Sequence, residues 1–171
     1  MTGVRIETSI ETGPVADALG RVAAVVSEPA GVLGAIGTGL VETTQTRFEQ
    51  GVDPQGNAWP ALSPGYAADK RGPGVLRESG MRGGLMGSIT REVTGDAVQV
   101  GTNKVYAAVH QFGAEIRPKS GDRLLFQIGG QTVAAKSVTI PARPFLGIGP
   151  ADELMISDVV EGTLDKGLGA A

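Results

Sequence analysis

The residues best placed to do chemistry lie around His110, the only histidine in a chain of 171 residues that has no cysteine. Tyr106 and His110 stand at positions i and i+4, so on a helix their rings lie on one face and can contact each other. A zinc site would need Asp or Glu for every other ligand, and a Ser-His-Asp triad would need a serine in a Gly-x-Ser-x-Gly turn, which the sequence lacks. The pattern therefore predicts no catalytic site, no metal and no cofactor, and favours a docking face or a core contact.

Two further segments contain residue types that bind ligands in other proteins. Four glycines between positions 31 and 39 do not follow the Gly-x-Gly-x-x-Gly spacing, so we expect a tight helix contact rather than a nucleotide site. The loop 51–62 holds Asp53 and Asn57 but lacks the other carboxylates and the closing Glu of an EF-hand. Trp59, the only tryptophan, is expected to pin this loop to the core.

The net charge of −3 hides an uneven distribution of charge along the chain. Residues 1–65 hold 3 basic and 7 acidic side chains, residues 66–149 hold 11 and 6, and residues 150–171 hold 1 and 5. Acidic ends therefore enclose a basic middle. These charges either form solvated faces, or the basic middle meets nucleic acid or an acidic partner, including the acidic end of another copy.

Length and composition favour one soluble domain. A chain of 171 residues with 41% apolar side chains can bury one hydrophobic core. The N-terminus lacks the apolar stretch of a signal peptide, and the apolar-rich residues 29–41 fall short of the roughly 20 residues that span a membrane. We therefore expect a soluble protein made in a cytoplasm.

Hydrophobic periodicity predicts an α+β fold, with an antiparallel or mixed sheet built from two β-hairpins and packed by helices. The expected hairpin strands are 89–94 with 97–101, around Gly95-Asp96, and 123–128 with 132–140, around Gly129-Gly130. A further strand is expected at 4–10, and helices at 14–27, 30–50, 64–71, 76–88 and from Pro150 onward. The first two helices are expected to form a hairpin or one kinked rod, and the last helix to pack on the sheet.

A central helix is predicted at residues 105–113, between the two hairpins. Asn103 can cap its N-terminus, and Gly113 provides the positive φ that ends it. Three apolar residues recur there at helical spacing, and they are Val105, Val109 and Phe112. This stripe is expected to pack in the core or to dock on a partner.

The charged loop 115–122 is expected to reach toward partners. It carries Arg117 and Lys119, and it lacks apolar periodicity. We predict that the loop is mobile in the isolated protein and becomes ordered on assembly.

Arg143 is a second candidate interaction residue. Prolines at 141 and 144 restrict the backbone around it, so its guanidinium loses little backbone entropy on binding. It can pair with Asp152 or Glu153 within the chain, or with a carboxylate on the next subunit. Phe145 is a further candidate, and its loss would destabilise the fold if its ring is buried.

Several motifs together resemble the phage virion morphogenesis family of Mu-like tailed phages. In chain order they are Asp-x-x-Gly-x-x-Trp at 53–59, Leu-x-x-Ser-Gly at 76–80, Leu-x-x-Ser-Ile at 85–89, Val-Tyr-Ala-Ala-Val-His-Gln-Phe-Gly at 105–113, and Ile-Pro-Ala-Arg-Pro-Phe-Leu-Gly at 140–147. The resemblance covers residues 46–149, and the glycine-rich helix before them departs from it.

The resemblance implies a structural, non-enzymatic virion protein at the neck or tail end, assembled in the host cytoplasm and forming a ring related to tail terminators. The implied partners are further copies in a ring, expected to be a hexamer, the tail tube protein, a head-side connector or stopper, and DNA passing through the lumen. The candidate interaction residues are Trp59, Tyr106, His110, Arg117, Lys119, Arg143 and Phe145. Two other classes stay open: a protein of the DNA channel that uses the basic middle, and a small hydrolase that depends on His110.

Overall fold

The computed structural model describes residues 13–77 and 84–168. The helices within them are α1 (Gly13–Ser27), α2 (Ala30–Gln50), α3 (Pro64–Asp69), α4 (Ala107–Phe112) and α5 (Pro150–Leu168), with a 3₁₀ turn at Met86–Ser88. The strands are β1 (Ile89–Thr94), β2 (Ala97–Thr102), β3 (Ala114–Ile116), β4 (Leu124–Ile128), β5 (Gln131–Ala135) and β6 (Val138–Ile140). The predicted strand at 4–10 and most of the predicted helix at 76–88 lie outside the described residues. At the edge of that helix, Leu76 has a φ of 56°, which is not helical.

Both predicted hairpins are confirmed. Strands β1 and β2 pair from Ile89↔Thr102 to Thr94↔Ala97, and Gly95 has the positive φ that a type II′ turn needs at its first position. Strands β4 and β5 pair around Gly129 and Gly130, whose φ values of 62° and 71° suit a type I′ turn. Local turn chemistry was enough to place these strands.

The hairpins do not join into one sheet, contrary to the prediction. The described residues form three separate two-stranded antiparallel sheets, β1–β2, β4–β5 and β3–β6. The strand predicted at 132–140 is interrupted at Lys136 and Ser137, and its second part, β6, leaves β4 to pair with β3. The start of the predicted loop 115–122 is therefore strand, because Glu115 and Ile116 pair with Thr139 and Val138.

Of the two arrangements expected for helices α1 and α2, the kinked rod is observed and the helical hairpin is not. Pro29 keeps helical backbone angles (φ −72°, ψ −5°), which carries the chain onward instead of turning it back. Helix α5 runs along both helices. Thr43 donates to Asp152 at its first turn (2.5 Å), and Arg21 donates to the carbonyl of Gly167 at its end (2.5 Å).

Helix α5 was expected to pack on a sheet, and it packs instead on α1 and α2. The glycines of α2 make this possible. A Cβ at Gly39 would overlap the Met155 side chain of α5, and one at Gly37 would lie 2.6 Å from Val98 of β2. The predicted tight contact at these glycines is confirmed, although side chains, and not another backbone, approach them. Through these contacts α2 lies between α5 and the first hairpin.

The hydrophobic core lies where the C-terminal end of α2 meets residues 141–147. The ring of Phe48 contacts Trp59 edge-on at a centroid distance of 5.5 Å, and it contacts Phe145 at 5.1 Å. Leu85, Met86, Ile89 and Ala107 complete this buried cluster. The core thus gathers residues from four of the five segments that carry the family resemblance.

Candidate interaction surface

Gln111 of α4 fixes the backbone of residues 141–147, which we call the clamped segment. Its side-chain oxygen accepts hydrogen bonds from the backbone N–H groups of Phe145 and Leu146, each at 3.0 Å. Its side-chain amide donates to the carbonyl of Leu146 at 2.8 Å. One glutamine therefore satisfies three backbone groups of a segment that belongs to no helix or strand.

Arg47 holds the same segment from α2. Its guanidinium donates to the carbonyls of Phe145 (3.1 Å) and Gly147 (3.0 Å), and it forms a buried ion pair with Asp152. Asp152 is fully buried, and it also accepts from the backbone N–H of Gly149 at 2.7 Å. Sequence reasoning missed this pair. The available signal was position: Arg47 lies one helical turn after Thr43, on the helix face that also holds Ile36 and Leu40.

Arg143 is part of the folded protomer and is not presented at its surface. Only 5% of it is exposed, and its guanidinium donates to the carbonyls of Pro60 (2.9 Å) and Ala61 (3.1 Å). Burial lowers the pKa of this guanidinium. The expected pair with Asp152 is wrong, because Arg47 occupies that carboxylate.

Two aromatic candidates are buried with Arg143. Phe145 is fully buried in the core, as the prediction for its ring allowed. The indole N–H of Trp59 donates to the carbonyl of Pro144 at 2.8 Å, so Trp59 pins its loop to the clamped segment. These side chains hold the protomer together, and any partner contact falls to other residues.

Helix α4 begins after Tyr106, so the predicted cap at Asn103 is wrong. The predicted contact between Tyr106 and His110 is confirmed, with ring centroids 6.0 Å apart and an interplanar angle of 83°. The carbonyl of His110 accepts the backbone N–H of Arg143 at 2.7 Å. Gly113 ends the helix with a φ of 74°, and a Cβ there would lie 2.9 Å from the nitrogen of Ala142.

Of the apolar stripe predicted for the central helix, Val105 and Phe112 are exposed and Val109 is half-buried. Val105 is 96% exposed and Phe112 is 78% exposed, and Ala108 between them is exposed as well. Hydrogen bonds decide this orientation, because His110 and Gln111 must face the clamped segment. We call Ala108 and Phe112, together with Val105 in the turn that precedes the helix, the outer face of α4; it is an apolar surface of the protomer.

Four exposed basic side chains belong to the segments that leave the β3–β6 and β4–β5 strand pairs, and we call them the basic junction: Arg117, Lys119, Arg123 and Lys136. Arg123 and Lys136 follow the last pair of β4–β5, Leu124↔Ala135. Arg117 follows the last pair of β3–β6, Ile116↔Val138, and lies beside the linker that holds Lys136. Arg117 donates to Glu115 at 2.9 Å, and this bond lowers the pKa of Glu115. The site residues Arg117 and Lys119 are therefore both at the surface.

The described residues offer neither a metal site nor a membrane span. In residues 13–77 and 84–168, no group of three or more His, Cys, Asp or Glu side chains could hold a metal ion. No helix in this part of the chain is long and apolar enough to cross a membrane.

Comparison with known proteins points to tailed phages. The model of the phage virion morphogenesis family matches residues 10–165, which extends the resemblance to helices α1 and α2. The chain is 30% identical over 124 residues to "Putative capsid assembly protein G" of Escherichia phage Mu, an alignment that covers 71% of this chain and 70% of the Mu protein. It is 40% identical over 81 residues to the Mu-like prophage FluMu G protein 2 of Haemophilus influenzae, with 47% and 45% covered. No solved structure shows a significant match.

Proposed function

The chain belongs to the phage virion morphogenesis family, and on that premise we propose that it is a structural virion protein that completes the tail and joins it to the head. It acts as a ring, a hexamer, at the neck or tail end. Its partners are further copies of itself, the tail tube protein and a head-side connector or stopper.

One observation carries this proposal, namely that the two sides of α4 have opposite roles. The inner side, through His110 and Gln111, holds the clamped segment and hence the core. The outer face exposes Val105 and Phe112, which contribute nothing to the protomer's own core. An exposed apolar surface on a rigidly held helix supports docking, and we assign it to the tail tube.

The test replaces the outer face without touching the inner one. Val105→Ser with Phe112→Ser should leave a folded protomer that no longer binds purified tail tubes, as measured by co-sedimentation and native mass spectrometry. Leu19→Ser with Val26→Ser is the matched control, because both residues are exposed apolar side chains of α1. Equal binding of both variants would refute the assignment of the outer face.

A second candidate function follows from the name of the phage Mu relative, which refers to capsid assembly. Electron microscopy of lysates from a phage that lacks this protein separates the two functions. Filled heads beside separate tails of abnormal length support tail completion. Malformed or missing heads with normal tails support a role in the capsid.

A further inference from the structure

Helix α5 has one face that packs on nothing in the described protomer. Its residues recur at helical spacing and all are exposed, and they are Leu154, Asp158, Glu161, Asp165 and Leu168. The leucines at the two ends are 68% and 51% exposed. This face, which we call the outer face of α5, is about 21 Å long at a rise of about 1.5 Å per residue. It carries three carboxylates between two apolar ends.

The outer face of α5 does not stabilise its own helix. Its carboxylates follow one another at i+3 and i+4, where like charges repel. Asp165 also lies in the last turn, at the negative end of the helix dipole. No described residue forms an ion pair with Asp158, Glu161 or Asp165. A cationic partner would relieve this repulsion.

The basic junction has the complementary pattern. Within the described chain, Lys119, Arg123 and Lys136 are exposed cations without an ion pair. Apolar side chains flank them: Leu125, on the same side of β4 as Arg123, is 73% exposed, and Ile116, beside Arg117, is 42% exposed. Three cations with exposed apolar residues near them in the chain thus complement three carboxylates whose face ends in leucines.

We propose that the outer face of α5 in one copy docks on the basic junction of the next copy. Within one chain α5 lies on α1 and α2, so the contact forms between copies. It joins two different surfaces and is therefore heterologous, and a heterologous contact repeats head to tail and closes a ring when its rotation permits. The inference rests on the proposed ring and names the surfaces that form it.

Charge reversal tests the contact. Asp158→Lys with Glu161→Lys makes both surfaces of a copy basic, and Arg123→Glu with Lys136→Glu makes both acidic. Each double variant alone should stay at the 17.4 kDa of one chain in native mass spectrometry. The equimolar mixture should assemble again, and only into rings with an even number of alternating copies. The quadruple variant should assemble like the wild type, because its charges are exchanged but still opposite.

The controls separate this contact from the ring itself. Glu49→Lys with Glu92→Lys changes the net charge equally at exposed acids elsewhere, and it should assemble as the wild type does. If either reversed variant assembles alone as the wild type does, the proposed contact is wrong while the ring stands. If the wild type stays monomeric even with tail tubes, the proposed function itself fails.

DNA is the other acidic partner that the basic junction suits. A salt-dependent mobility shift with duplex DNA that Arg123→Glu with Lys136→Glu removes, while assembly persists, would overturn the contact and assign the junction to nucleic acid.

Discussion

Replacing Arg47 by methionine should strongly destabilise the protomer, because one side chain joins α2, α5 and the clamped segment. Methionine keeps most of the length and the apolar contacts of arginine, so the change removes chiefly charge and hydrogen bonds. Asp152 then remains as a fully buried carboxylate without its cation. Removing one partner of a buried ion pair costs about 3–5 kcal/mol.

Two backbone carbonyls lose their donor in the same substitution. The oxygens of Phe145 and Gly147 accept from Arg47; Gly147 is exposed, so water replaces the donor there, whereas the buried oxygen of Phe145 left unpaired costs about 1–3 kcal/mol. One guanidinium makes all three contacts, so these costs overlap and do not add in full. We expect a total loss of about 4–6 kcal/mol, a large part of the roughly 5–15 kcal/mol by which a domain of this size is stable.

Urea unfolding followed by circular dichroism measures this loss. A second variant, Arg47→Met with Asp152→Asn, removes the unpaired negative charge at position 152 and keeps a side-chain oxygen that accepts from the N–H of Gly149. It should recover about 1–3 kcal/mol relative to Arg47→Met alone. Arg71→Met is the matched control, since Arg71 is exposed and lies outside the proposed contact between copies, and it should stay within about 0.5 kcal/mol of the wild type. A loss below about 1 kcal/mol for Arg47→Met, or no recovery in the double variant, would refute the central role of this pair.

The remaining predictions concern the core, the loop 51–62 and the junction loop. Phe145→Ala should cost about 3–5 kcal/mol in the same urea assay, since it empties a fully buried ring site. Arg143→Ala should cost about 1–3 kcal/mol and reduce the amide protection of Ala61 and Leu62, because the exposed carbonyls of Pro60 and Ala61 lose their donor; unchanged protection there would refute this bond. The pKa of Asp53 lies below its ordinary 3.8, mainly because Asn57 donates to it, so its contribution to stability is present above pH 3.8 and lost as the pH falls below that value. Asn57→Ala should raise this pKa in an NMR titration, and an unchanged value would contradict the assignment. Residues 117–122 should gain amide protection only on assembly, and equal protection in free and assembled protein would rule this out.

Local sequence signals located the hairpin turns and the C-terminal end of α4 correctly. Gly95, Gly129, Gly130 and Gly113 all adopt the positive φ that their positions predicted. Such signals succeed because turn and helix-end geometry depends on a few neighbouring residues, and only glycine takes these angles without strain. The motifs at 105–113 and 140–147 likewise pointed to the correct family before any contact between them was known.

The direction in which side chains point could not be read from the same pattern. Periodicity identified Val105, Val109 and Phe112 as a stripe but did not say which way the stripe faces. In the folded chain, Gln111 and the carbonyl of His110 must satisfy the clamped segment, and this turns Val105 and Phe112 toward solvent. Arg143 shows the converse. A charged residue between prolines is expected at the surface, yet Arg143 is buried because its guanidinium donates to carbonyls of the loop 51–62.

The sequence by itself determined the local elements, the division of charge and the family. The tertiary structure alone decided that the strands form three separate pairs, that Arg47 rather than Arg143 meets Asp152, and that Arg117, Arg123 and Lys136 lie next to the last pairs of two ladders. The reason is that local backbone preferences act over a few residues, whereas these contacts join positions up to about a hundred residues apart. Each such partner is selected by the burial and hydrogen bonding of the whole chain.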